Sequence, residues 1–321
     1  MRRPTLTARR AWGVARWLGG AAIVGIVVWR LGTAPFLDGL RAVNGGALAL
    51  AAGIGFVTTV CAAWRWRLVA RGLGVAVPLR AATAAYYRSQ FLNTVIPGGV
   101  IGDVDRAVRH GSAVGDVGRG LRAVAWERSA GQFVQLGLGL LVLLLLPSGV
   151  PTWFPIVVAA VLVGALGGGL LLSGRPPRGA SRVARAFRAA ASDIRHGLLG
   201  RRVGPGVALA SVVVVTGHVA TLLLAARTAG AISPILQLLP LTVLVLLATA
   251  VPTNIGGWGP REGAAAWAFG AAGLGAAQGV ATATVYGLLS LAAISPAAPL
   301  LIAAWLRRGR RAVDPEGNGR G

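Results

Sequence analysis

Long apolar runs recur along this chain, separated by short stretches rich in arginine, proline and glycine. A helix needs about 20 consecutive apolar residues to cross the hydrocarbon core of a bilayer. The short segments at 32–41 and 147–155 carry little charge and are predicted to be outer loops. The pattern indicates an all-α, polytopic membrane protein. We predict six full spans, at about residues 17–29, 42–64, 121–146, 156–173, 203–226 and 276–306.

Two further apolar segments are interrupted by proline and glycine, which makes about eight apolar segments in all. The first covers 81–96 and breaks at Pro97, and Arg88 in its middle makes it a poor lipid-facing span. The second covers 234–273 and breaks at 252–260. Irregular backbone at membrane depth is tolerated only where protein covers it or where it lines a wet cavity. We therefore predict two re-entrant helical hairpins.

The two breaks are similar in sequence. Counted from the proline, each has a glycine five residues on and an arginine nine residues on: Pro97, Gly102 and Arg106 in the first, Pro252, Gly257 and Arg261 in the second. Inverted repeats whose broken helices meet near the midplane are a common transporter design. We predict one membrane domain over 1–321, with half-repeats at about 11–146 and 150–306. The open alternative is a chance match in a chain with 48 glycines and 17 prolines.

The arginines are distributed unevenly between the two predicted sides of the membrane. Five lie in the N-terminal segment, four follow the second span, eight lie in the loop 174–203 and five follow the last span. Cytoplasmic loops carry such an excess, so we predict that both termini are cytoplasmic. Three crossings then separate the breaks, so the first hairpin opens inward and the second outward. A cleaved signal peptide is the alternative at the N-terminus, but no clear cleavage site follows.

Net charge is +23, and all 32 basic residues are arginine. Because this charge lies between apolar spans, anionic headgroups of the inner leaflet are the expected partners, and no nucleic acid is expected. Within the loop 174–203, apolar residues recur every three or four positions from Val183 to Leu198, which predicts an amphipathic helix on the inner leaflet of the cell membrane. The alternative is a solvated basic loop. The tail 312–321 is polar and glycine-rich, which is typical of disorder.

Charged residues stand at the breaks and in the third span, where each costs on the order of 3 kcal/mol if unpaired. Arginine grips a phosphate with two parallel hydrogen bonds, so Arg106 and Arg261 are the preferred candidates for anion ligands. The alternative is that these groups form structural ion pairs that lock the hairpins. The candidate substrate-binding set is Asn93, Asp103, Asp105, Arg106, Glu127, Arg128, Asn254, Arg261 and Glu262.

The motifs resemble those of the lysylphosphatidylglycerol synthase transmembrane-region family, a flippase-like membrane domain. The resemblance covers about 15–305 and is carried by Gln90–Asn93, Ile96–Arg106, Trp126–Arg128 and Val251–Glu262. It implies an inner-membrane protein that moves or presents lipids, such as aminoacylated phosphatidylglycerol or polyprenyl-linked sugars. Long members carry a soluble aminoacyl-transfer domain after the spans. This sequence ends at Gly321, so we expect no aminoacyl transfer from it.

Two functional hypotheses follow. The first is a lipid flippase or transporter for an anionic or aminoacylated phospholipid or a polyprenyl-linked lipid. The second is a non-transporting accessory protein that supports a glycosyltransferase or a lipid-modifying enzyme. We expect no enzymatic activity and no cofactor, because no nucleophile–base pair is evident and the three histidines are too scattered for a metal site.

Overall fold

The computed structural model describes residues 22–96, 99–147, 151, 153–174, 181–198, 200–201, 203–249 and 259–298. Over these ranges every regular element is helical. The predicted tail 312–321 lies outside them, as do the tip of the second hairpin and Asn254. The helices are α1 (Ala22–Leu31), α2 (Ala34–Ala42), α3 (Gly45–Gly72), α4 (Leu79–Val95), α5 (Ile101–Ala113), α6 (Val117–Leu145), α7 (Trp153–Gly174), α8 (Arg182–Ser192), α9 (Gly204–Thr228), α10 (Ile235–Thr249), α11 (Pro260–Ala271) and α12 (Ala276–Ile294).

The helices α3, α6, α9 and α12 are long and apolar enough to cross a membrane, and α1 with α2 makes a fifth candidate span. A multi-pass helical protein is therefore confirmed, whereas the number of six spans stays a prediction. In chain order α3–α6 have 28, 17, 13 and 29 residues, and α9–α12 have 25, 15, 12 and 19. Both sets run long, short, short, long, with the two predicted hairpins in the short pairs.

Packing between these two sets of helices is also similar. The first long helices, α3 and α9, pack on each other. Each first long helix also packs on the last helix of the other set, α3 on α12 and α9 on α6. Within each set every helix packs on the next one. The contacts match when the two sets are exchanged, while the opposite insertion of the sets stays a prediction.

Two sequence boundaries are wrong. The predicted outer loop 32–41 is largely the helix α2, which meets α1 at 96°. Gly32, with φ +74°, allows this bend, and Asp38 and Arg41 lie on the exposed side of α2. The second predicted span does not end at residue 64, because α3 continues to Gly72. At 1.5 Å per residue, α3 is about 42 Å long, which is longer than the thickness of the hydrocarbon core, about 30 Å.

The amphipathic helix predicted in the central loop is present as α8, and a π-helical turn, Asp193–Leu198, follows it. Asp193 fixes the turn to α6, because its Oδ2 accepts hydrogen bonds from Arg122 Nε at 2.8 Å and Trp126 Nε1 at 3.1 Å. Phe187 and Arg188 are exposed, whereas Ala191 and Ile194 are buried. The seating of α8 on the inner leaflet stays a prediction.

We predict that Gly120→Ala destabilises the hairpin packing. A Cβ at Gly120 would lie 2.3 Å from the Ala107 carbonyl oxygen of α5, so the helices must separate. Overpacking of this kind costs about 1–3 kcal/mol. A lower melting temperature of the purified protein in detergent is the expected result. Gly137→Ala on the same helix is the control, because a Cβ there meets nothing within 4 Å. Equal melting of the two variants would contradict the close packing of α5 and α6.

Candidate functional site

A carboxylate with no exposed surface lies at the centre of the first half: Glu127, on α6. Its Oε1 accepts hydrogen bonds from Arg65 Nε at 2.9 Å and from the Tyr86 hydroxyl at 3.1 Å. Its Oε2 accepts one from Arg106 Nη2 at 3.1 Å. Two guanidinium groups therefore offset the desolvation of this carboxylate, and they come from α3 and α5.

The guanidinium of Arg106, a predicted anion ligand, is held between two aromatic rings. Its Cζ lies 4.6 Å from the centre of the Trp66 ring and 4.3 Å from that of Tyr86. Its Nη2 also donates to Asp103 Oδ1 at 2.9 Å, and its side chain is only 1% exposed. The arrangement fits an internal ion pair better than an open ligand site, and the predicted ligand role of Arg106 stays a prediction.

Asp103 connects this pair to the break and to α4. It accepts hydrogen bonds from Ser89 Oγ at 3.0 Å, Asn93 Nδ2 at 3.1 Å and Arg128 Nη2 at 2.9 Å. The amide oxygen of Asn93 in turn accepts from the Gly102 N–H at 2.7 Å, at the start of α5. A Cβ at Gly102 would lie 2.0 Å from the Ser89 carbonyl oxygen, so only glycine fits there. Asn93 and Gly102 thus close the hairpin, and Asp103 links it to α6.

Arg128 borders a polar cavity of about 240 Å³. Its side chain is 44% exposed, and all its hydrogen bonds within the described ranges come from Nη2, to Asp103. Among the described residues, Nε and Nη1 make no hydrogen bond. The other polar or aromatic residues that line the cavity are Thr58, Arg65, Tyr86, Gln90, Gln132, Gln135, His218, Thr249 and Tyr286.

Sequence reasoning placed Arg65 in a cytoplasmic flank, and the structure corrects this. Arg65 is 4% exposed, bonded to Glu127 and, through Nη1, to Ser211 Oγ of α9 at 3.1 Å. Gly131 makes room for it, since a Cβ there would lie 2.7 Å from Arg65 Nη1. A usable signal was present: no break separates Trp64 from Gly72, and on a continuous helix Arg65 shares a face with Thr58, Ala62 and Val69.

Other predicted residues lie apart from this network. Asp105 forms ion pairs with Arg88 Nε at 3.1 Å and Arg109 Nε at 2.8 Å. In the second half, Glu262 Oε1 accepts from Arg261 Nε at 2.9 Å, and Oε2 accepts from the Gly259 N–H at 2.6 Å, which caps α11.

The two hairpins approach the same cavity. Arg261 Cζ lies 5.5 Å from the centre of the Tyr286 ring, and Tyr286 lines the cavity together with the first-half residues Tyr86 and Arg128. Asn254 lies outside the described residues.

We predict that Glu127→Gln destabilises the protein strongly, because it leaves Arg65 and Arg106 buried with too little negative charge. Removal of one partner of a buried ion pair costs about 3–5 kcal/mol. A large drop in melting temperature in detergent is the expected result. Asp116→Asn, which removes the charge of a carboxylate 40% exposed, is the control and is expected to melt as the wild type does. If Glu127→Gln and the control have the same melting temperature, the ion-pair network does not stabilise the protein.

Comparison with known families agrees with the motifs. A family model described as the lysylphosphatidylglycerol synthase TM region matches residues 16–298, which is most of the chain. Comparisons with curated proteins and with solved structures give no match. The matched range includes both hairpins and every helix that lines the cavity. The chain therefore belongs to the lysylphosphatidylglycerol synthase transmembrane-region family.

Proposed function

We propose that the protein is a flippase or transporter of a lipid with a phosphate headgroup, either an anionic or aminoacylated phospholipid or a polyprenyl-linked lipid, and that it performs no bond-making chemistry. The observation that carries this proposal is Arg128, whose guanidinium lines a polar cavity inside a membrane domain and bonds through Nη2 alone among the residues that the structure describes. Arg106 and Arg261 are proposed to support the site from behind its walls.

The charge balance around the cavity favours an anion. The network holds three arginines, Arg65, Arg106 and Arg128, against two carboxylates, Asp103 and Glu127, which leaves one net positive charge. Arg128 is the most exposed of the three arginines, so the surplus charge faces the cavity. A phosphate placed there would be held by charge-assisted hydrogen bonds in a medium of reduced dielectric.

Apolar clefts beside the cavity support a lipid rather than a free solute. One cleft of about 180 Å³ lies among α6, α9 and α10 and shares Gln135, Val215 and Leu246 with the cavity. A groove of about 600 Å³ between α3 and α9 shares Thr58 with it. A headgroup in the cavity could thus keep its hydrocarbon chains in contact with apolar surface, which avoids the cost of exposing them to water.

Matching packing in the two sets of helices supports an inverted repeat. In such transporters one hairpin opens to each side, and access alternates around a fixed central site. In support, residues of both predicted hairpins, Gln90 and Thr249, line the cavity along with Arg128 and Tyr286. We further propose that the exposed Phe187 and Arg188 of α8 contact anionic lipids of the inner leaflet.

The accessory role remains the second candidate, and the burial of the ion-pair network favours it. Arg106 and Glu127 are so fully enclosed that they suit a rigid support for a lipid-modifying enzyme or a glycosyltransferase as well as a moving gate. Under this hypothesis the cavity holds a lipid without translocating it.

Arg128→Gln is expected to slow lipid movement while the protein still folds. Purified protein is reconstituted in vesicles, and the accessibility of labelled phosphatidylglycerol and of a labelled polyprenyl phosphate is followed over time. The wild type should expose at least one of these lipids, and Arg128→Gln should slow its exposure at least tenfold, which corresponds to about 1.4 kcal/mol. Arg119→Gln is the control on the same helix, with a side chain 42% exposed but outside the cavity. Absence of movement of any lipid by the wild type, together with a co-purifying enzyme, would favour the accessory role.

Labelling of single cysteines tests the opposite insertion of the hairpins. In a Cys61→Ser background, Ser112→Cys marks the end of α5 and Ala271→Cys the end of α11, and both positions are exposed. An impermeant thiol reagent added to intact cells should label Ala271→Cys at once and Ser112→Cys only after permeabilisation. Labelling of both positions from one side would contradict the inverted repeat.

A further inference from the structure

We infer that the cavity selects an anionic headgroup that carries hydroxyl groups, such as glycerol phosphate or a sugar phosphate, and excludes headgroups with net positive charge. The inference rests on the proposed function and narrows its substrate to anionic lipids, as opposed to aminoacylated lipids. Two observations support the inference. The side chains that line the cavity carry no negative charge, and the nearby carboxylates and tyrosines already have arginines as partners.

Among the described residues, no carboxylate lines the cavity where a cationic headgroup would bind. Seven of the nine acidic residues lie in the described ranges, and none of the seven lines the cavity. Glu127 and Asp103, the nearest to Arg128, accept hydrogen bonds from arginines and from neutral donors on both of their oxygens. A lysyl or other ammonium group would therefore enter a cavity whose fixed charges are those of Arg65 and Arg128.

Aromatic rings are the other means by which proteins bind ammonium groups. The cavity has two tyrosines, and both already have a cation near the ring. Arg106 lies 4.3 Å and Arg128 5.8 Å from the centre of the Tyr86 ring, and Arg261 lies 5.5 Å from that of Tyr286. These contacts bring further positive charge to the cavity walls, so a cationic headgroup gains little from the tyrosines.

The neutral polar groups of the cavity suit hydroxyls. Gln90 accepts from Thr59 through Oε1, and Gln135 donates to the Leu246 carbonyl oxygen through Nε2. Within the described ranges the amide NH₂ of Gln90 and the amide oxygen of Gln135 take no part in these two hydrogen bonds. The NH₂ of Gln90 can donate to a ligand in the cavity, and the oxygen of Gln135 can accept from one. Gln132 and His218 add further groups that donate and accept. A hydroxyl needs both kinds of partner, whereas an ammonium only donates.

The test compares lipids that differ chiefly in headgroup charge or in headgroup hydroxyls. Vesicle assays use labelled phosphatidylglycerol, its lysyl ester, which reverses the sign of the headgroup charge, and phosphatidylmethanol, which keeps the charge and lacks hydroxyls. Phosphatidylglycerol should move at least about tenfold faster than the lysyl ester, because an uncompensated like charge in a site of reduced dielectric costs more than one decade in affinity. Phosphatidylmethanol should move more slowly than phosphatidylglycerol. Equal or faster movement of the lysyl ester would overturn the inference and leave transport intact.

A designed change of preference tests the same point from the opposite direction. Gln132→Glu places a carboxylate on the cavity wall and should raise the rate of the lysyl ester relative to phosphatidylglycerol. Gln237→Glu, at an exposed position of α10 outside the cavity, is the control and should leave the ratio unchanged. An unchanged ratio in Gln132→Glu would count against the inference.

Binding of the short-chain forms of these lipids to the purified protein in detergent separates selectivity from movement. Selective binding without movement would contradict the flippase proposal and leave the inferred selectivity standing. Binding of the lysyl ester as tight as that of phosphatidylglycerol, or binding of neither, would overturn the selectivity.

Discussion

The burial of one carboxylate, Glu127, constrains the arrangement of the helices around it. A charge with no exposed surface is tolerated only beside opposite charges with good hydrogen-bond geometry. Arg65 on α3 and Arg106 on α5 meet that need, and Arg65 extends the network to Ser211 on α9. Helices far apart in sequence are thereby held at one point. The same Arg106 lies between two aromatic rings, and Asn93 closes the first hairpin beside it by accepting from the Gly102 N–H.

The three arginines of this network differ in their environment. Arg65 and Arg106 neutralise buried carboxylates and are enclosed, whereas Arg128 shares Asp103 and turns its remaining donors toward the cavity. An anion that binds Arg128 would compete with Asp103 for the same guanidinium. Because Asp103 also holds Arg106 and Asn93, such competition would reach the hairpin through a short chain of hydrogen bonds. Ligand binding and hairpin geometry are thus connected by direct contacts.

The two breaks share a motif but differ in their chemistry within the described part of the chain. In the first half, arginines from three helices converge on the carboxylates of Asp103 and Glu127. In the second, the ion pair of Arg261 and Glu262 is local to the start of α11 and also caps that helix. Among the described residues, Arg261 of the second half comes near the cavity wall through its contact with the Tyr286 ring. In our proposal Arg128 of α6 therefore provides the anion site, and the second half contributes a wall.

The sequence alone determined the class of the protein and most helix boundaries, and it predicted the two hairpins, because hydrophobic length, proline and glycine act locally. It also marked Asp103, Arg106, Glu127 and Arg128 as charges in need of partners. Only the tertiary structure decided which partners they have. For Arg65, the unbroken helical pattern to Gly72 indicated a packed face, but the residues Trp64–Arg67 could not identify its partner. That partner is a carboxylate on another helix, Glu127 of α6. Which arginine faces the cavity likewise depends on how α3, α5 and α6 rotate against each other, and that is a property of packing.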